Sequence, residues 1–519
     1  MINRIEKYLL ENNPDKVIEI LKNSPKTRME YVFLIEANVL KNNIERIEEL
    51  ILQFGEPKNS YENAFIEYIK GSILHNQQKF QEALRIYLDI SNLNQDELLF
   101  YQIKARIADC NWALGKFSDA EKTSFEIIKS EYLEKSDQGR KIKGRIYHLI
   151  GTLFAQKGEF NKSIEHLTKA LGYLESIKGQ DTSLTIQNLG LVYKDMGNYN
   201  LGSKFLNKAY LYAKEKNNLF TMALVKNGLG NINKERGNYQ EALNDLKEAL
   251  NIIERLNKPM FKAIILENLG GIHIILNDLF IGFEYVNRSI KLFLDIGNPL
   301  DISIALVNYV YLIAKSNIKN PDQELLSHFP EPPYDNTNIQ ALSYQYKAIQ
   351  EKLQGRINLA ESFHNQVFDL KSVEIGILQR SYEEILELSI LSWKKHPSEE
   401  KLSEIKKKIE MWENYCNQQS LTPNLVLIYL IKAKLSFLLI NFDDCEKNLN
   451  QGILIAETIG LPNHLRLLNK EKKKLDQQKE FFKSLDSNEK SDGVVELSEV
   501  LDYLKELNIL IMDNNNKVS

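Results

Sequence analysis

The sequence predicts an all-α protein of about ten stacked helical hairpins, and three observations carry that reading. Gly190, Gly230 and Gly270 recur at 40-residue intervals. A second series, Gly197, Gly237 and Asn277, follows at the same spacing. Each unit between these markers has the apolar spacing of two amphipathic helices joined by a tight turn. A fixed period in this range signals stacked repeats. One hairpin cannot bury its own apolar face, so stability must come from packing on neighbours.

The middle unit shows the logic. Leu224 to Arg236 has helical spacing, Gly237-Asn238 stops the helix where a left-handed residue is tolerated, and Tyr239 to Arg255 resumes it. Small residues fall where backbones must approach (Gly230, Ala242, Ala249), and large ones between them (Leu229, Tyr239, Leu243, Leu246). The pattern comprises Leu189-Gly190, Leu229-Gly230 and Leu269-Gly270, then Tyr193, then Gly197-Asn198-Tyr199 and Gly237-Asn238-Tyr239, then Ala242, Leu246 and Ala249. It resembles the tetratricopeptide (TPR) repeat. The period exceeds the usual length of about 34 residues. It is more similar to the long repeats of kinesin light chains, Pins-type adaptors and Rap-type peptide receptors. The resemblance implies a right-handed superhelix whose inner wall holds peptide segments of protein partners.

In chain order, residues 1–60 read as two degenerate hairpins forming a cap, with Pro14 near the start of the second helix. The main array spans 61–318 and opens with units at Gly71, Ala108 and Gly151 that keep Phe80, Phe117 and Phe160 in register. Residues 319–338 contain Pro321, Pro330, Pro332 and Pro333 and predict a loop or kink. A more degenerate array follows over 339–483, with Gly355, Ala360, Phe442 and Gly452 in repeat positions and a terminal cap helix after Pro462. The tail 484–519 holds eight acidic and three basic side chains, a balance of −5, and one amphipathic helix pattern through Leu497, Leu501 and Leu504.

The net charge of −4 offers no general attraction to nucleic acid or anionic membranes. Glutamates throughout the first hairpins argue against a DNA-binding helix-turn-helix there. Cys110, Cys416 and Cys445 form neither a CxxC pair nor a disulfide framework. The first residues lack a long apolar core, and Leu425–Ile431 is too short to span a membrane, so a cytoplasmic location is expected. The eight histidines scatter without metal-ligand spacing, and no phosphate-cradling or nucleophile motif occurs. No enzyme activity and no cofactor or metal are expected.

In the TPR fold the first helix of each repeat lines the inner wall. Projecting its wall positions onto this sequence gives Asn188 and Lys194, then Asn227, Asn231 and Lys234, then Glu267 with Asn268, then Asn308 with Tyr311. Upstream the same positions hold Arg145 with His148, and Arg106, Asp109 and Trp112. Asparagine is a poor helix former, but its amide offers a donor and an acceptor that match both faces of a peptide backbone. The expected function is an adaptor or scaffold that clamps peptide segments, with Trp112 and Tyr311 as aromatic anchors. The alternative is a Rap-like receptor whose superhelix compacts on binding a small peptide.

Overall fold

A computed structural model describes residues 2–11, 13–21, 27–41, 43–91, 96–177, 181–316, 322–334, 336–370, 373–396, 398–418, 421–439 and 441–484. The acidic tail helix expected beyond 484 lies outside the described residues.

Twenty-five α-helices and no strand occur among the described residues. The first eight are α1 (Ile2–Leu10), α2 (Pro14–Ile20), α3 (Arg28–Leu40), α4 (Ile44–Phe54), α5 (Ser60–Asn76), α6 (Phe80–Ser91), α7 (Glu97–Ala113) and α8 (Phe117–Ile128). After a 3-10 turn at Tyr132–Lys135 come α9 (Asp137–Gln156), α10 (Phe160–Glu175), α11 (Ser183–Asp195), α12 (Tyr199–Glu215), α13 (Leu219–Glu235) and α14 (Tyr239–Leu256). Then follow α15 (Pro259–Ile275), α16 (Leu279–Ile296), α17 (Pro299–Ser316), α18 (Gln323–Leu326), α19 (Thr337–Leu353) and α20 (Ile357–Phe368). The last five are α21 (Ile375–Lys395), α22 (Glu399–Gln418), α23 (Thr422–Leu438), α24 (Phe442–Ile459) and α25 (Pro462–Ser484).

The hairpin turns share one mechanism. Gly197 N–H donates to the Lys194 carbonyl at 2.8 Å and Asn198 N–H to the Tyr193 carbonyl at 2.8 Å. The same pair of bonds closes the turns at Gly115, Gly237, Asn277 and Gly355. This Schellman arrangement needs a left-handed residue, and Gly197 (φ 81°) and Gly237 (φ 78°) supply it without a Cβ penalty. Asn277 (φ 65°) and Gln78 (φ 64°) take the same conformation with side chains attached.

Consecutive hairpins pack in series, α14 on α15, α16 on α17, α20 on α21, α22 on α23. The chain divides into two compact units. One comprises residues 1–155, 161–188 and 209–218; the other comprises 156–160, 189–208 and the described residues from 219 onward.

In the first unit one apolar cluster runs from Ile5 to Cys110 and another from Ala105 to Phe154. Pro14 opens α2, and a complete capping box at Thr27 and Glu30 opens α3. Arg28 holds this end together: its Nε and Nη2 donate to both oxygens of Glu62 at 2.7 Å, and its Nη1 donates to the Phe54 carbonyl at 2.9 Å.

In the second unit α13 to α16 share a core of Ala242, Leu246, Ile265, Leu269 and their neighbours. Among the described residues of the proline-rich segment lies the four-residue α18, whose Leu325 and Leu326 are buried, and α17 packs on α19 across it. One further contact joins parts of this unit that are remote in sequence: a Cβ on Gly197 would stand 2.6 Å from Pro423 Cδ.

Candidate functional site

The repeat glycine decides which way each first helix faces. A Cβ on Gly190 would meet Leu206 Cγ at 2.8 Å, on Gly230 Leu246 Cγ at 2.9 Å, and on Gly270 Val286 Cγ2 at 2.7 Å. The glycine side is therefore pressed against the second helix of its own hairpin. The polar residues two and three positions earlier are left to meet the neighbouring first helices.

In the first unit Arg145 Nη2 donates to Asp109 Oδ2 at 2.8 Å, and Arg106 pairs with the same oxygen at 3.7 Å. Asn188 Nδ2 donates to His148 Nε2 at 3.0 Å and to Thr152 Oγ1 at 3.1 Å. Because Nε2 accepts, the His148 proton sits on Nδ1 and is donated to Thr185 Oγ1 at 3.0 Å. Burial, with the Arg145 guanidinium adding to it, pushes this imidazole down to about 4, so it is neutral. Trp112 is half-buried and packs on the apolar cluster containing Ala105, Ala108 and Ile146. Lys141, one turn before Arg145, donates to the Leu10 carbonyl at 3.2 Å. Burial and the Arg145 charge push Lys141 down to about 8, and burial pushes Glu36 beside it up to about 7.

In the second unit the wall is drier. Asn268 Nδ2 donates to Asn227 Oδ1 at 2.9 Å, and Asn308 Nδ2 to Glu267 Oε1 at 2.6 Å. Asn268 is 1% exposed, and Asn308 and Tyr311 are each 4% exposed. Lys194, equally buried, pairs with Asp195 at 3.0 Å. Lys234 is buried at the equivalent position and lowers the Glu267 carboxyl, against the larger upward push of burial. Asn231 lies on the same face of α13 and is 5% exposed, and its Oδ1 has no hydrogen-bond partner among the described residues.

The sequence projection thus brings together neighbours one repeat apart: Asn188 with His148, Asn227 with Asn268, Asn308 with Glu267. It missed the opposite side. Arg380 on α21 donates from Nη2 to Asn308 Oδ1 at 2.6 Å, and its guanidinium lies 5.3 Å from the Tyr311 ring centre. Glu383 and Glu384 stand on the same face of α21 and are buried, and Lys352 bridges Glu384 at 2.7 Å and Glu387 at 2.9 Å. The signal in the sequence was the i, i+3, i+4, i+7 stripe Arg380, Glu383, Glu384, Glu387, which also fits a solvated helix face.

A tetratricopeptide-repeat family model matches residues 181–255, and a second tetratricopeptide-repeat model matches residues 144–173. The chain carries TPR-type repeats. Repeats of this type build protein-interaction scaffolds. No curated relative is matched by sequence. Among solved structures, the TPR chain is similar to a Rap protein complexed with competence and sporulation factor, at 12% identity over 68% of this chain and 97% of that one, TM-score 0.49. It is similar to a human IFIT1 dimer with PPP-AAAA at 14% identity, covering 87% and 95%, TM-score 0.43. Aspartyl phosphate phosphatase F from Bacillus subtilis is similar at 13% identity, covering 78% and 97%, TM-score 0.38. Among the described residues no helix is long and apolar enough to cross a membrane.

Proposed function

We propose that the chain is an adaptor that holds extended peptide segments of partner proteins along the wall made by its first helices. The wall residues are Arg145, His148 and Asn188 in the first unit, with Trp112 as aromatic contact, and Lys194, Asn227, Asn231, Lys234, Asn268 and Asn308 in the second, with Tyr311 as aromatic contact. The observation that carries this reading is the buried side-chain oxygen of Asn231, which has no hydrogen-bond partner among the described residues and lies one turn from Asn227 and from Lys234. A buried acceptor left unsatisfied costs about 1–3 kcal/mol, and a peptide N–H supplies the donor it lacks. The proline-rich segment 319–338 serves in this reading as the joint between a main and a degenerate array.

Replacing Asn227, Asn231 and Asn268 together by alanine tests it. Asn227 and Asn268 bond each other, and Asn231 bonds nothing described, so the triple variant orphans no partner and should keep its helicity and melting temperature. Capture of partners should be abolished; capture at the wild-type level by the folded variant refutes this reading.

A second reading, a receptor that changes compaction on binding a small peptide, is favoured by the remote contacts inside the second unit: Arg380 with Asn308 and Gly197 with Pro423. Small-angle scattering that tightens when a short peptide is added supports it, and an unchanged profile supports the static adaptor.

A further inference from the structure

Arg380 is the most awkwardly held cation in the second unit. It is 6% exposed, yet its one hydrogen bond among the described residues runs from Nη2 to Asn308 Oδ1 at 2.6 Å. Its Nε is buried without an acceptor. The carboxylates of Glu383, Glu384 and Glu267 all act on it, but none among the described residues comes within ion-pairing distance. Burial is the larger influence and disfavours its charge. A buried arginine normally takes a bidentate carboxylate or a full set of carbonyls. This one lies over the Tyr311 face, inside a surround of three acidic side chains, and engages only an amide.

The surround itself is shaped for a cation. Glu267 comes from α15, Asn308 and Tyr311 from α17, Glu383 and Glu384 from α21, so three first helices contribute acceptors and one ring face. Asn231 on α13, 5% exposed, adds a side-chain oxygen with no hydrogen-bond partner among the described residues, one turn from Asn227 and from Lys234. An aromatic face and three buried carboxylates select a guanidinium or ammonium group; an anion would meet those same carboxylates.

We propose that this place is a binding pocket for a cationic side chain of the partner segment, and that Arg380 occupies it as an internal stand-in. The inference rests on the peptide-holding reading and deepens it by fixing one partner residue as arginine or lysine. On binding, the incoming guanidinium takes the Asn308 oxygen, the Tyr311 face and the acidic surround. Arg380 swings out, and the partner's backbone amide satisfies Asn231. No bond is made or broken beyond hydrogen bonds. The stand-in keeps the acidic surround compensated while the site is empty.

The test needs no knowledge of the partner. R380A removes the occupant, and R380K keeps a charge but leaves guanidinium-sized space beside Tyr311. Both should melt below the wild type, and N-acetyl-L-arginine amide at millimolar concentration should raise their melting temperatures by about 3 °C. The wild type, already occupied, should respond less. N-acetyl-L-citrulline amide, the neutral isostere, should have no effect. Adding E267Q to R380K should abolish the response. If R380A fails to fold, R380K carries the test alone. Melting temperatures indifferent to the arginine amide, or moved equally by citrulline amide, overturn the proposal. Because the readout is stability, this result is separable from partner capture by the asparagine triple variant.

Discussion

The two units build their first-helix walls from the same register, yet one is wet and the other dry. In the first unit Arg145 reaches Asp109, and Asn188 reaches His148 and Thr152, with Arg145, His148 and Asn188 half-buried. In the second unit the equivalent contacts are Asn227–Asn268 and Glu267–Asn308, and Asn308 also accepts from Arg380, 72 residues further along the chain. The difference lies in what stands opposite. Where α21 brings a charged stripe against the wall, water is excluded and each polar group depends on a protein partner. A repeat motif therefore fixes which side chains line a wall, while the environment of those side chains is set by elements the motif does not cover.

Equivalent substitutions should break the two walls unequally. Asn308→Ala strips one hydrogen bond from buried Glu267 and the single one from Arg380, so it should destabilise by about 3–4 kcal/mol. Asn188→Ala exposes half-buried His148 and Thr152 to water and should cost about 1 kcal/mol or less. Guanidinium unfolding of both variants measures the contrast, and equal losses would mean that the second wall is as wet as the first.

The dry wall should also give the second unit a pH dependence. Glu374, at the start of α21, is 6% exposed; burial, with Asp301 adding to it, pushes its carboxyl up to about 8. A carboxyl raised in the folded state contributes stability that is present below about 4.5 and lost as pH rises through about 8. Glu374→Gln should remove that loss. The variant should match the wild type near pH 5 and exceed it by about 2 kcal/mol near pH 8. Its Oε1 has no hydrogen-bond partner among the described residues, and the backbone bond from Glu374 N–H to Asn338 Oδ1 is unaffected. Thermal melts at the two pH values decide; a gap that does not widen with pH removes the premise. The first unit's His148, held at about 4, works the other way: its contribution is full above about 6.5 and lost as pH falls towards 4.

The smallest expected effect concerns a turn. Gln78 occupies at φ 64° the place that Gly197 and Gly237 occupy elsewhere. Gln78→Gly should stabilise the first unit by about 0.5–1 kcal/mol, read as a raised melting temperature, because a side chain in the left-handed region carries a penalty that glycine avoids. A drop instead would show that contacts of the Gln78 side chain outweigh the backbone term.

The turns and the glycine seam were legible in the sequence because each answers to a local demand. Gly197, Gly237 and Asn277 meet the backbone requirement of the Schellman turn within a few residues, and Gly230 can be placed by its spacing to Leu246. The wall positions Asn188, Asn227, Asn268 and Asn308 followed from the same period. Arg380 did not, because its stripe fits a solvated helix face as well as a buried one, and only the stack opposite removes the water. Lys141 was equally hidden: its acceptor, the Leu10 carbonyl, lies 131 residues away.

The close approach of Gly197 to Pro423 has a kinetic consequence. Hairpins that stack on sequence neighbours can assemble by local additions, each closing a short loop. Joining a turn to a helix start more than two hundred residues later requires the intervening hairpins to be in place, so that junction forms last and reports on completion of the stack. It can also part without unzipping any hairpin. Hydrogen exchange should then find the amides around Pro423 opening more readily than those of the seam beneath Gly230, an opening that releases the ring while every repeat stays folded.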